Sequence, residues 1–440
     1  MPNTRRSFLN RAIAATFVYK VVGPKPVLRA AGPNSQVAIG FIGSGIRGSY
    51  LFEEFGKIPG VRSVGVADLY DGHLQWAKDM RPGIEITKDY RALLDRNDVD
   101  AVTIATPDHW HARMVLDALA AGKHVYCEKP LTWSIDEGKT IIAAQKKSGK
   151  LVMVGSQSKT SPAIAKAREV IKSGLLGKVN MVRMTNHRNS PEGAWVYPIP
   201  HDASPETIDW NRFLGRAPKA PFDAKRFFRW RCWWEYSGGV ATDLWVHQLT
   251  ALHEMMDVKA PRSVVAQGGI HHWNDGRSVP DVFSAVYDYD GFEVDISANL
   301  ANARGNGTSI VVMGSEGTLT FGGRDADRVV VEFEPPPSPI AWYGLNGWPQ
   351  THKDKYVASL GFASGKVPDA PPTKPTQEFA IDRGLTHHEY FINSLRENLP
   401  SRESAEDGHC AAGAAHLANM AFRRGRRFNW DWSSDKVTDG

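Results

Sequence analysis

Residues 40–50, GFIGSGIRGSY, place glycines at 43, 45 and 48 behind an apolar run and ahead of a helix-like one. That spacing suits a phosphate cradle. The glycines permit a tight turn, close approach of a pyrophosphate and close helix packing, and the helix N-terminus offers unpaired N–H groups to the anion. Ser44, Ile46 and Arg47 complete the loop. Asp68 stands 20 residues beyond Gly48, at the end of the next apolar run. A carboxylate there can accept hydrogen bonds from an adenosine ribose and repels a 2′-phosphate. Leu69 and Tyr70 supply no arginine to hold such a phosphate, so the expected cofactor is NAD in preference to NADP; the plainer reading makes Asp68 a turn residue.

Two further groups carry charge where chemistry could use it. In HVYCEKPLTW, residues 124–133, a short strand-like run ends on Glu128, Lys129 and Pro130. An ammonium held on a turn can hydrogen-bond a substrate hydroxyl, relay its proton and stabilise a developing alkoxide; a solvated ion pair is the alternative. In YSGGVATDLWVHQLTAL, Asp243 and His247 lie four apart and so share one helix face. Alone, they fit equally a helix cap and a satisfied core histidine.

The elements that must position these groups follow from periodicity. From Gln36, β-branched runs (QVAIGFIG, VRSVGVAD, AVTIATP, HVYCEK, LVMVGSQ) alternate with helix-like segments that close on glycine. This is the pattern of a parallel sheet with crossover helices, a Rossmann dinucleotide-binding domain over residues 33–155. From 156 to 440 the strands alternate apolar and polar residues and turn back on themselves, as at Asp290-Gly291 and in SIVVMGSEGTLTF. The expected class is therefore α/β followed by α+β, the second domain a large, mainly antiparallel open sheet with helices on one side. Residues 335–349 and 368–375 are proline-rich and expected to be loops. From Thr376 the chain is expected to be helical, with helices over 387–396 and 405–424 packing back on the first domain.

The stretch ATPDHWHARMVLDALAAGKHVYCEKPL, with its Thr-Pro, helix-opening histidine and Glu-Lys-Pro, resembles the glucose-fructose oxidoreductase / inositol dehydrogenase / rhizopine catabolism (Gfo/Idh/MocA) family. The resemblance implies an NAD-dependent oxidoreductase acting on a sugar or sugar-derivative hydroxyl. It places Lys129 beside the nicotinamide and the reacting carbon and Glu128 on the cofactor side. Asp243 and His247 would lie opposite, the histidine as candidate base and the carboxylate orienting the substrate. Thr106, Pro107, Trp110 and His111 would pack around the nicotinamide, although a helix-start role fits Trp110 and His111 equally. His187, Arg188 and Tyr236 could line the substrate pocket, although for His187 and Arg188 a sheet-face position pointing elsewhere fits equally. A redox-assisted glycoside hydrolase of the same family is the rival activity, though those relatives differ at the lysine and use a Tyr/His pair. A non-catalytic sugar sensor is the third reading.

Residues 1–32 hold Arg5 and Arg6, a modest apolar stretch and small residues at Ala30 and Ala31, and resemble a twin-arginine export signal. A basic amphipathic helix is the plainer reading. Export to the periplasm and cleavage near Ala30 or Ala31 are expected. Those residues hold six of the 53 lysines and arginines and none of the 48 acids, so the remainder is balanced at 47 against 48. The cluster FRRGRRF at 422–428 then reads as a cationic helix end, and no nucleic-acid partner is expected. The remaining expectations are no membrane association after signal removal, no metal, no disulfide framework from three scattered cysteines, and a homo-oligomer through the open sheet. Six tryptophans between 195 and 245 fit either a carbohydrate-stacking lip or core packing.

Overall fold

A computed structural model of the chain describes residues 17–19, 36–304, 307–323, 325–362 and 372–440. The leader expected over residues 1–32 falls outside the described residues except for Phe17–Tyr19, a strand running parallel to Gln377–Phe379.

Six parallel strands form the first sheet, in the spatial order Glu85–Thr87, Val61–Ala67, Val37–Ile42, Ala101–Ile104, His124–Cys127, Val152–Val154. Val37–Ile42 is buried at every position, as expected of a strand covered on both faces. The chain reverses its direction of travel across the sheet between Val37–Ile42 and Ala101–Ile104. In a doubly wound sheet a crevice opens at the carboxyl ends of such a pair. The glycine loop leaves one of these strands and Thr106-Pro107 leaves the other, so the topology brings two motifs 60 residues apart to one cleft.

The second sheet runs Phe17–Tyr19, Gln377–Ala380, Arg328–Phe333, Gly317–Phe321, Thr308–Gly314, Val179–His187, Phe292–Asn299, Val282–Tyr289, Ser263–Gly269, Phe428–Asp431, Lys436–Asp439. Its pairs are antiparallel except Val179–His187 with Phe292–Asn299 and the Phe17–Tyr19 edge. The turn at Asp290-Gly291 pairs Tyr289 with Phe292, with Gly291 at φ +90° where only glycine is unstrained. Along Val282–Tyr289, Phe283, Ala285, Tyr287 and Tyr289 face the core while Ser284 and Val286 are exposed. The helices Pro162–Lys172, Val246–Met256 and Ala405–Arg424 supply that core.

Ala405–Arg424 lies between the two sheets, which explains its small residues. A Cβ on Gly408 would sit 2.7 Å from Val154 Cγ2, and one on Gly413 would sit 2.2 Å from Trp430 Cη2. His387–Glu397 also returns to the first domain, where Phe391 and Ile392 pack with Phe41, Phe55 and Tyr126. Both helices start at capping boxes, Thr386 with Glu389 and Ser404 with Asp407.

The terminal segment is not all helical. It opens with the strand Gln377–Ala380 and closes with the hairpin Phe428–Asp431 and Lys436–Asp439. Runs this short have too few residues to declare a period, and they become strands because Arg328–Phe333 and Ser263–Gly269 offer open edges. Residues 335–349 are irregular apart from one turn at Trp342–Leu345; within 368–375, residues 372–375 are irregular and 368–371 lie outside the described residues. No helix among the described residues is long and apolar enough to cross a membrane.

Candidate active site

The glycine loop has the conformation its spacing requires. Gly43 is at φ +84°, and a Cβ on Gly48 would stand 1.9 Å from Gly43 O, so the helix Ile46–Gly56 can approach the strand only through glycine. At Gly45 the nearest atom to an added Cβ is His73 Cε1 at 3.4 Å, and no side chain caps the helix start. The first N–H groups of this helix are thus open to an anion.

Asp68 follows Val61–Ala67 and is met by four donors: Ser44 N at 2.7 Å and Ser44 Oγ at 3.2 Å on Oδ2, Tyr70 N at 3.0 Å and His73 Nδ1 at 3.1 Å on Oδ1. Burial opposes its charge, but His73 and the two backbone N–H groups overcome this and hold its pKa below the usual carboxylate range. The cleft beside it is lined by Gly43, Gly45, Ile46 and Arg47 on one wall and by Thr106, Pro107 and Trp110 on another. These groups fit a dinucleotide, with pyrophosphate at the helix start and ribose at Asp68.

A segment of the second domain roofs this cleft. Tyr70 and Ile208 form an antiparallel bridge, with Asp71 N donating to Thr207 O at 3.0 Å and Asp209 N to Leu69 O at 2.9 Å. Tyr70 Oη donates to Asp202 Oδ1 at 2.6 Å, and Trp110 Nε1 to Phe213 O at 3.0 Å. Tyr197, Phe227, Phe228, Trp230 and Arg231 of this strap line the cleft.

Behind Arg47 the Glu-Lys-Pro turn leaves His124–Cys127, with the Lys129–Pro130 peptide cis. Glu128 is buried against Gly155 and accepts from Arg47 Nε at 2.6 Å. Lys129 Nζ donates to Asp243 O and to Asp243 Oδ1, both at 2.7 Å. Asp243 sits in a π-helical turn, Ala241–Trp245, ahead of Val246–Met256. Such turns alter the backbone pairing of a helix, and here the Asp243 carbonyl accepts the lysine. Arg231 Nε donates to the same Oδ1 at 3.0 Å. Burial opposes the Asp243 charge, but Lys129 and Arg231 overcome it and hold its pKa far below normal, so this carboxylate is no proton acceptor near neutrality. His247 Nδ1 lies 2.9 Å from Ser156 O. A carbonyl only accepts, so Nδ1 carries the hydrogen of this bond.

His111 is wholly buried between Pro130 O, 2.6 Å from Nδ1, and Thr106 O, 2.9 Å from Nε2. It packs between the Thr-Pro turn and the Glu-Lys-Pro turn, its single ring N–H bonding one of the two carbonyls, and does not line the cleft. Two other expected residues stand elsewhere. His187 belongs to the open face of the second sheet, with Nδ1 at 3.0 Å from Arg304 O and Nε2 at 3.4 Å from Ser297 Oγ, because the strand alternates and Asn186 takes the inward position. Tyr236 is buried among His109 and Phe213, 5.3 and 4.9 Å away between ring centroids, and interacts with Arg226. Arg188 Nε bonds Asn186 Oδ1 at 3.2 Å, and its charge reaches Tyr197 at the cleft. Of the six tryptophans, Trp230 lines the cleft, whereas Trp195, Trp210, Trp233 and Trp245 are core.

Sequence reasoning missed Arg231 and Asp108. Asp108 is buried beside Gly238 N and Thr242 Oγ1, 3.3 and 3.4 Å from Oδ2, and burial and then Asp243 push its pKa up to about 7. Its signal was an acid directly after the Thr-Pro; that of Arg231 was a cation set among aromatics. The three cysteines are buried and unpaired, and among the described residues no cluster of His, Cys, Asp and Glu is placed to hold a metal.

Fold and site together define a dinucleotide-binding oxidoreductase. The description "Oxidoreductase family, NAD-binding Rossmann fold" matches residues 37–156, and "GFO/IDH/MocA C-terminal domain" matches residues 164–320. With both domains matched in order over more than half its length, the chain belongs to the Gfo/Idh/MocA oxidoreductase family. It is 36% identical over 161 residues to an inositol 2-dehydrogenase of Rubrobacter xylanophilus, covering 36% of this chain and 46% of the relative. It is 31% identical over 173 residues to an alpha-N-acetylgalactosaminidase of Shewanella oneidensis, covering 36% and 38%. The aligned stretch spans less than half of either relative. The fold is that of the WlbA dehydrogenase of Bordetella pertussis, solved with NADH and UDP-GlcNAcA: TM-score 0.65, 20% identity, 90% of this chain and 99% of that one.

Proposed function

We propose that the protein oxidises a secondary hydroxyl of a sugar or sugar derivative, with NAD as hydride acceptor. The contact of Lys129 with Asp243 carries this reading, because it joins the cofactor domain to the substrate domain at the end of the nucleotide cleft. Lys129 spends two of its three N–H groups on Asp243 and keeps one for a substrate oxygen, where its charge stabilises a developing alkoxide. Asp243 holds the ammonium in place, and His247, anchored through Nδ1 on Ser156 O, is the candidate base for the hydroxyl proton. The inositol dehydrogenase relative and the dehydrogenase neighbour solved with a nucleotide sugar support a sugar-related substrate. Ionised Asp68 favours NAD over NADP.

The leader supports export by the twin-arginine route, which carries folded, cofactor-loaded proteins. Outside the cytoplasm no free NAD pool exists to exchange with, and the strap across the cleft supports a cofactor that stays bound and is reoxidised in place. The galactosaminidase relative favours a second reading, glycoside cleavage through transient oxidation at C3 with no net redox change. Incubating glycosides with purified protein and no added acceptor separates the two. One oxidised sugar per bound nucleotide supports the dehydrogenase, free aglycone in many turnovers supports cleavage, and purified protein with neither bound nucleotide nor affinity for it overturns both.

A further inference from the structure

The cationic half of the site exceeds what Asp243 can balance. Lys129 and Arg231 both bind its Oδ1, at 2.7 and 3.0 Å, so two cations share one carboxylate. Asp108, which also acts on Arg231, is buried and uncharged in part near neutrality. Arg231 is fixed in orientation as well as in charge. Its Nε is held by Asp243, and its guanidinium carbon lies 4.3 Å from the centre of the Trp230 ring. The side chain is 19% exposed, it lines the cleft, and among the described residues its two Nη groups make no hydrogen bond. A guanidinium held at Nε, with a planar pair of Nη donors that no group among the described residues takes and that open to the cleft, matches a planar carboxylate in bidentate geometry.

We propose that Arg231 is a substrate-binding residue and that the substrate is an acidic sugar, a pyranose bearing a carboxylate of the uronic-acid type. This rests on the oxidation reading above. A neutral hydroxyl would satisfy one N–H at a time and leave the excess charge unbalanced. A carboxylate takes two N–H groups and neutralises the site before the hydroxyl proton leaves.

The test compares matched pairs, methyl glucuronide with methyl glucoside and methyl galacturonide with methyl galactoside, on purified nucleotide-loaded protein. The expected result is a kcat/KM for the uronides at least tenfold above that for the neutral partners. The ratio should collapse toward one in Arg231→Gln and be retained in part in Arg231→Lys, with thermal melts confirming that both variants fold. Because Arg231 also touches Asp243, both variants will slow all substrates, and the ratio isolates the carboxylate. Oxidation of neutral glycosides with a ratio near one, a ratio untouched by Arg231→Gln, or a preference for sugar phosphates would overturn this inference and leave the oxidation reading standing. Protein that binds nucleotide and oxidises no member of the panel overturns both.

Discussion

Arg47 Nε donates to Glu128 Oε1 at 2.6 Å, tying the glycine loop to the turn that presents Lys129. Glu128 is pressed against Gly155, where a Cβ would come within 2.7 Å of Oε1, so the carboxylate occupies the space a side chain would need. The nucleotide loop and the Glu-Lys-Pro turn are therefore joined through Glu128, which leaves the neighbouring Lys129 to the second domain.

Lys129→Met removes the donor to substrate oxygen and leaves the nucleotide loop untouched. The expected loss is ~10³-fold in kcat, with the Kd for NADH changed less than about threefold. Fluorescence titration and steady-state rates check both halves. An unchanged kcat would show that Lys129 takes no part in the chemical step.

Gly48→Ala puts a methyl 1.9 Å from the Gly43 carbonyl oxygen, and both are backbone that cannot swing aside. Nucleotide affinity should fall at least ~100-fold with a lowered Tm, because helix and loop must separate. Calorimetric titration with NADH is the measurement.

Asp68→Asn removes the charge that opposes a 2′-phosphate and keeps the shape. Since His73 and the Ser44 and Tyr70 N–H groups hold the native carboxylate ionised, the NAD/NADP affinity ratio should drop by ~10-fold or more. Equal ratios in wild type and variant would show that discrimination lies elsewhere.

Tyr70→Phe and Asp202→Ala each delete the 2.6 Å bond that pins the strap over the cleft. Bound NADH should leave about tenfold faster in either variant, since one charge-assisted bond is worth roughly 1.5–3 kcal/mol. Release followed by fluorescence after a chase with excess NAD reads this directly.

Glu403 is wholly buried beside Ser156, and burial lifts its pKa to about 8 from a reference of 4.5. Between those values the unfolded chain has lost the proton while the folded chain keeps it, so stability falls as pH rises from about 4.5 to 8. Glu403→Gln removes the dependence. The wild-type loss of stability between pH 5.5 and 8 should shrink by on the order of 3 kcal/mol, measured by denaturant unfolding at the two pH values. A slope equal in both proteins would mean that Glu403 is ionised when folded.

Much of the site was legible because its backbone is set locally. Gly43 and Gly48 are required by one loop, Lys129 sits on a turn announced by its proline, and Asp243 and His247 keep a spacing that survives the π-turn. The placement of His187 and Tyr236 was open in the sequence for a different reason. A strand residue points to one of two faces, and the neighbour Asn186 took the inward one; a tyrosine beside two glycines can turn to the cleft or to the aromatic core, and His109 and Phe213 drew it inward.

The sequence by itself determined the two domain types and the nucleotide loop, because periodicity and glycine spacing act over a few residues, while the reading of Lys129 came from the family resemblance. Only the tertiary structure decided which charges meet. Lys129 and Asp243 are 114 residues apart, and Arg231 reaches the same oxygen from a strap whose course is set by bonds to Tyr70, Asp71 and Leu69. Such meetings depend on how distant elements pack, and side-chain chemistry at any one position does not encode them.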